Sequence, residues 1–219
     1  MTLLFFGLLA WQTPIDEGTL VVRADTAVIA HETFRLASAR FGAGGIGWTL
    51  ASTARYDRPV LVLAPILEVT SDSQPSGLEF DVADPRDPQR IRGQLARGRF
   101  TARFLGRRTE RAREFPAVGR TVVLDDSVFA LYLFLAWQAR LQAVEIVGLV
   151  PRAGRRETLS VRDLGVGPTL LNRAPVRLRH VTVTGGANQV VDVWLDENAR
   201  LCKVEIPSRH LRVERLPPA

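Results

Sequence analysis

The 219 residues are 46% hydrophobic and 24% charged, enough for one well-filled domain and incompatible with wholesale disorder or a polytopic membrane protein. The formal net charge of +6 is carried by Arg, with Lys203 the sole Lys, so composition alone specifies no phosphate-bearing partner. Cys202 is the only cysteine, which excludes an intramolecular disulfide and a cysteine-based zinc site.

In chain order, the apolar run Leu3 to Trp11 is far shorter than the roughly 20 residues a spanning helix needs. It fits the h-region of a secretory signal peptide, with Ala10 near a cleavage site but without a basic n-region, or else a short N-terminal segment docking on the core. Residues 1–17 are therefore set apart from a single domain over 18–219. The expected location is periplasmic or secreted, with the cytoplasm as the alternative.

Strand-like alternation follows at Ile29–Ser38 and Trp48–Tyr56, where Trp48, Leu50, Ser52, Ala54 and Tyr56 share one face. Short strand-like pieces continue at Val60–Val69, Leu78–Val82, Ile91–Leu95 and Arg99–Leu105, with turn signals about every 8 to 12 residues. This spacing predicts a mainly antiparallel sheet or barrel. One segment breaks it: Asp125–Leu141, rich in Leu and Ala and poor in β-branched residues, predicts a helix. Asp125, Asp126 and Ser127 supply a cap and first-turn negative charge, and Arg140 suits the last turn. The stretch Val128–Trp137 is apolar all round and must be covered all round, which calls for a curled antiparallel sheet or half-barrel wrapped around one central hydrophobic helix. Strands at Val144–Val150, Glu157–Val161 and Val176–Thr184 lead to a closing hairpin, in which Val191, Val193 and Leu195 alternate with Asp192, Trp194 and Asp196, Asp196 to Ala199 turn, and Leu201–Ile206 runs back.

Chemical signatures are weak. Gly42, Gly44 and Gly47 match a dinucleotide-binding fingerprint, but a helix must follow it and Trp48–Tyr56 alternates as a strand, so the glycines read as a hairpin loop. His31, His180 and His210 lack the spacing of a helical metal pair, and no nucleophile elbow occurs. Asp57, Glu68, Asp72, Asp192 and Asp196 are candidates for acid–base pairing across a sheet, against the plainer reading of solvated strand faces and turns. Cys202, alternating with Val204 and Ile206, reads as a small buried hydrophobe. No catalytic residue, metal site or cofactor is assigned.

The region from Arg86 to Arg120 holds eleven Arg against Asp87, Glu110 and Glu114. Arg97, Arg99, Arg103, Arg107 and Arg108 form a candidate basic patch. With Phe100 and Phe104 between them, they suit single-strand nucleic acid by stacking or an anionic membrane surface. A solvated face with both Phe residues turned to the core is the plainer reading.

Three stretches in this order carry a resemblance: LDDSVFALYLFLAWQ, PVRLRHVTV and VDVWLDENARLCKVEIP. The chain resembles secreted bacterial proteins with a curled sheet around a central helix, similar in shape to the LolA and LolB lipoprotein carriers of the cell envelope. The resemblance implies a half-barrel whose concave face accepts an acyl chain or another apolar group, and it brings no catalytic residues. The reading that results is a non-enzymatic cell-envelope protein binding a hydrophobic or lipid-like ligand, or a structural and interaction module. Trp48, Phe129, Leu133, Trp137 and Trp194 are the candidate cavity residues, against the alternative that they fill a dry core. An envelope protein is a further candidate partner. The competing reading from another class is a basic nucleic-acid-binding β-protein using Arg86 to Arg120.

Overall fold

A computed structural model describes residues 14–41 and 45–217. The apolar run Leu3–Trp11, as well as Gly42 and Gly44, lies outside the described residues. The chain forms β1 (Asp16–Ala24), β2 (Ala27–Phe41), β3 (Gly45–Asp57), β4 (Val60–Thr70), β5 (Pro75–Ala83), β6 (Gln89–Ala96), β7 (Arg99–Gly106) and β8 (Glu110–Pro116). After these come β9 (Thr121–Val123), a short helix α1 (Tyr132–Trp137), β10 (Val144–Val150), β11 (Arg155–Leu171), β12 (Ala174–Thr184), β13 (Val190–Leu195), β14 (Leu201–Ile206) and β15 (Leu211–Arg215).

The fifteen strands of the described residues belong to one sheet, which runs from β8 back to β1, crosses to β15 and continues back to β9. Neighbours are antiparallel except β9 and β10, which are parallel. The first and last strands pair, Leu20 opposite Arg215 through Ala24 opposite Leu211, while β8 and β9 are the two edges. The result is a mainly antiparallel, barrel-like curl with a seam.

Period-2 alternation explains which side chains enter. Along β5, Leu78, Phe80 and Val82 are buried while Glu79 and Asp81 face out, opposite Arg92 and Arg90 on β6. Along β3, Leu50, Ser52 and Ala54 are buried, and Trp48 and Tyr56 pack partly buried against the same core. The shared face read from the sequence is present. β2 and β3 pair up to Phe41 opposite Gly45, and β3 itself follows the glycine cluster, so no helix begins at Gly47.

The interior holds the segment 124–139. Leu124, Val128 through Ala136, and Ala139 are all buried, and each large apolar side chain withdrawn there stabilises the fold by roughly 1.5–3 kcal/mol. The helix is far shorter than the predicted Asp125–Leu141: α1 has six residues. The shortening has a local cause. The Asp125 carboxylate accepts from the Ser127 N–H, making a turn, and the Phe129 and Ala130 N–H groups donate to Glu32 rather than to helical carbonyls. Arg140 does serve the C-terminal end, donating to the carbonyls of Trp137 and Ala139.

The closure of β1 on β15 is reinforced by Arg215, whose guanidinium meets Asp16 in a two-pronged pair at 2.6 and 3.0 Å. It lies so close over Gly18 that a Cβ there would sit 2.9 Å from Nε. Asp16 is buried and opens β1, so the folded domain includes the last residues of the segment 1–17. Because the two side chains are only 4% and 16% exposed, Asp16→Asn should leave a poorly hydrated cation. It is expected to cost about 3 kcal/mol, read as a lowered urea midpoint at unchanged slope.

Candidate functional site

The register gathers the turns 25–26, 58–59, 107–109, 151–154 and 185–189 at one end of the curl, and 71–74, 97–98 and 196–200 at the other. The internal segment runs between these ends and is tied by polar groups at both.

At the first end the central tie is Glu32 of β2, with no exposed surface. One carboxylate oxygen accepts from the Ser52 hydroxyl at 2.6 Å and the Ala130 N–H at 3.0 Å. The other accepts from the Phe129 N–H at 2.7 Å. Around it, Tyr56 donates to the Ser127 carbonyl at 2.8 Å. Asp125 takes a two-pronged pair from Arg152, both contacts at 2.8 Å. Asp126 is held by Arg155 at 2.7 and 3.0 Å, and its carbonyl accepts from Arg209. At the second end Trp137 Nε1 donates to the Ala199 carbonyl at 2.9 Å, and Gln138 Nε2 donates to the carbonyls of Ser73 and Thr121.

Burial pushes the Glu32 carboxyl up to about 7, against the pull of Ser52, Ala130 and Phe129, and nearby Asp125 adds to the rise. Burial likewise raises the Tyr56 and Tyr132 phenols. Both Glu32 oxygens are taken up by donors inside a covered site, an arrangement that holds a backbone in place and offers no approach for a substrate.

Four of the five predicted cavity residues, Trp48, Phe129, Leu133 and Trp137, belong to the interior core. Phe129 and Leu133 are fully enclosed. Trp48 meets Trp137 edge-on at 5.8 Å, and Phe134 meets Trp137 at 5.5 Å. Trp194 does not join them. In β13, Val191, Val193 and Leu195 point inward, so the alternate residue Trp194 lies on the outer face. There it stacks on His180 at 4.7 Å and packs with Leu178 and Cys202. Lys203 Nζ lies 4.6 Å from its ring centre. Burial pushes the Cys202 thiol up to about 11, which suits an inert packing role.

The basic patch is divided. Arg99 pairs with Glu114 at 2.8 Å and Arg103 pairs with Glu110, whereas Arg97, Arg107 and Arg108 sit in exposed turns. Phe100 and Phe104 are buried inward and are not available for stacking bases. Among the candidate carboxylates, Asp192 meets His180 at 2.8 Å and Asp196 meets Arg200 at 2.7 Å. Asp72 accepts from the Thr70 hydroxyl. His31 is exposed and His210 lies 3.6 Å from Asp25. Sequence reasoning missed Glu32, Ser52, Asp125 and Arg152 as a group. A signal was present in β2, where Glu32 occupies the inward phase shared by Ala30, Phe34 and Leu36.

Glu32 binds its proton more tightly in the folded chain than in the unfolded one, where its value is 4.5. Its contribution to stability is therefore full below pH 4.5 and is lost as pH rises through about 7. The loss amounts to roughly 3 kcal/mol. Glu32→Gln keeps one acceptor oxygen and sets an NH2 group against the other N–H, so it lowers stability at every pH, but it carries no titrating charge and its urea stability should stay flatter over this window. A wild-type-like pH profile in the variant would assign the dependence elsewhere.

The sequence matches no family model and no curated protein. Among solved structures, it is similar to the β-barrel-like protein of the domain of unknown function DUF1849 from Brucella abortus, with a TM-score of 0.51 and 13% identity over 91% of this chain and 94% of that one. At this identity the likeness establishes the fold alone: a β-barrel-like domain.

Proposed function

We propose that this chain is a non-enzymatic cell-envelope protein whose curled sheet takes up a hydrophobic or lipid-like group, the place of that group being filled in the closed form by the segment 124–139. The observation that carries this reading is the segment itself. Its middle, Val128 to Ala136, is buried on every side, yet it contributes no strand to the ladder and is tied to the wall mainly at its ends. A group of similar width and apolarity would meet the same wall: Leu20, Leu50, Leu63, Phe80 and Ile91. The unpaired edges β8 and β9 give the sheet a seam at which it can open. The likeness in shape to the LolA and LolB carriers belongs to this proposal, as does export, which rests on the apolar run Leu3–Trp11.

A second reading, a structural module with a permanently solid core, is favoured by the packing of Trp137 against Trp48 and Phe134. Native mass spectrometry of the purified chain, before and after organic extraction, separates the two. The carrier reading expects an excess mass that extraction removes. It also expects the extracted protein to bind a sixteen-carbon fatty-acid probe, with a change in tryptophan emission that Trp137→Phe abolishes. A bare mass together with no response to the probe identifies the solid core.

A further inference from the structure

β11 and β12 run beyond the body of the curl. β13 pairs with β12 only from Arg179 to Thr184, so the stretch from Gly167 opposite Leu178 to Leu171 opposite Ala174 is a two-stranded arm. Its underside is fixed. Leu171, Val176 and Leu178 pack with Trp194 and Cys202, and Thr169 accepts from Lys203 Nζ at 3.1 Å. At the tip, Asn172 N–H donates to Glu214 at 3.0 Å and Asn172 Nδ2 donates to the Arg215 carbonyl at 2.8 Å. Asn172 and Arg173 have φ of 50° and 69°, which makes the tight reversal a two-residue hairpin needs.

The other face is a row of alternate residues in β11. Leu164, Val166 and Leu170 are 49%, 61% and 57% exposed, and Pro168 between them is exposed too. A stabilising role for this row is excluded by its direction, because the arm is already packed through its opposite side. Directly across the ladder, and so on the same face, stand Pro175 opposite Leu170, Arg177 opposite Pro168 and Arg179 opposite Val166. From Arg162 to Arg179 there are four Arg against one acid, Asp163. Asp163 is taken by Arg179 at 2.9 Å. Arg177 on this face and Arg173 at the tip have no ion-pair partner among the described residues, while Arg162, opposite Thr182, lies on the other side of the ladder. The face thus sets an apolar row beside a basic row on a rigid support.

We propose that this face of the β11–β12 arm docks on an anionic lipid surface. The apolar row enters the boundary of headgroups and acyl chains, and the guanidinium groups of Arg177 on this face and Arg173 at the tip meet the headgroup phosphates. Charge decides against a second copy of the chain, since a symmetric pairing would set one Arg177 row against another in a protein of net charge +6. A neutral apolar partner would leave the Arg173 and Arg177 guanidinium groups unmatched.

The test is co-sedimentation of the full chain with vesicles of phosphatidylcholine alone or mixed with phosphatidylglycerol. Binding is expected on the mixed vesicles only, weakening with salt. The double variant Arg173→Gln with Arg177→Gln should lower partitioning on the order of 25-fold, taking about fivefold per cation. Val166→Asp with Leu170→Asp should abolish it. All four positions are exposed, and an unchanged tryptophan emission spectrum verifies that the variants are folded. Failure of the wild type to bind, equal binding to both vesicle types, or wild-type binding by either double variant overturns the proposal. So does a concentration-dependent dimer in sedimentation velocity that the Val166 and Leu170 substitutions dissolve, since that outcome assigns the face to self-association.

Discussion

A chain segment that crosses the inside of a β-curl meets a wall whose backbone groups are already committed to the strand ladder. Its own N–H and C=O groups must be satisfied by itself or by side chains. At Phe129 and Ala130 the chain has not yet entered α1, so two adjacent N–H groups have no helical acceptor. Glu32 supplies both, with Ser52 as the third donor on the carboxylate. This one contact sets the start of α1 and fixes the depth at which Phe129 enters. It explains why an acid occupies an inward position of β2 among Ala30, Phe34 and Leu36. The cost is a carboxyl that burial disfavours as an anion and three donors favour, and the balance leaves it near neutrality.

The sheet around the segment is continuous on one side and interrupted on the other. Antiparallel pairing carries β8 through β1 to β15 and on to β10 without a break, and the Asp16–Arg215 pair lies at the join of the two halves. Opposite this join β8 does not pair with β9. Among the described residues only side chains cross the gap: Arg156 reaches the Pro116 carbonyl at 2.9 Å, Gln74 accepts from the Thr121 N–H, and the Arg113 guanidinium lies over Gly154. Exposed guanidinium contacts of this kind are individually weak beside a strand ladder, so a separation of the wall would begin at the seam.

Much of this was legible in the sequence because it rests on period-2 alternation. Leu50, Ser52 and Ala54 fall inward where the pattern puts them, and the turn spacing announces antiparallel neighbours. An all-round apolar stretch, Val128 to Trp137, announces that something must enclose it. The helix length was not legible, because the competitor for its first hydrogen bonds stands on β2, some 97 residues away in sequence. The extent of β11 was hidden as well. The strand predicted over Glu157–Val161 ends ten residues early, since β11 continues through Gly165, Gly167 and Pro168 to Leu171 by way of an irregularity between Asp163 and Gly165. Trp194 was assigned by its size rather than its phase: the alternation that puts Val193 inside puts Trp194 outside.

That phase links the two faces of the molecule. Directly opposed residues on four consecutive strands, His180, Trp194, Lys203 and Glu214, form one outward row. His180 stacks on Trp194, Lys203 lies over the same ring, and Glu214 receives the tip of the arm through Asn172. The next residues along those strands, Val181, Val193, Val204 and Val213, are buried on the inner side. A slip of one residue in any of these pairings would exchange the two sets, turning Lys203 and Glu214 toward the core and valines toward the arm. The burial of the internal segment and the seating of the β11–β12 arm are therefore fixed by a single register, and neither can be repositioned without the other.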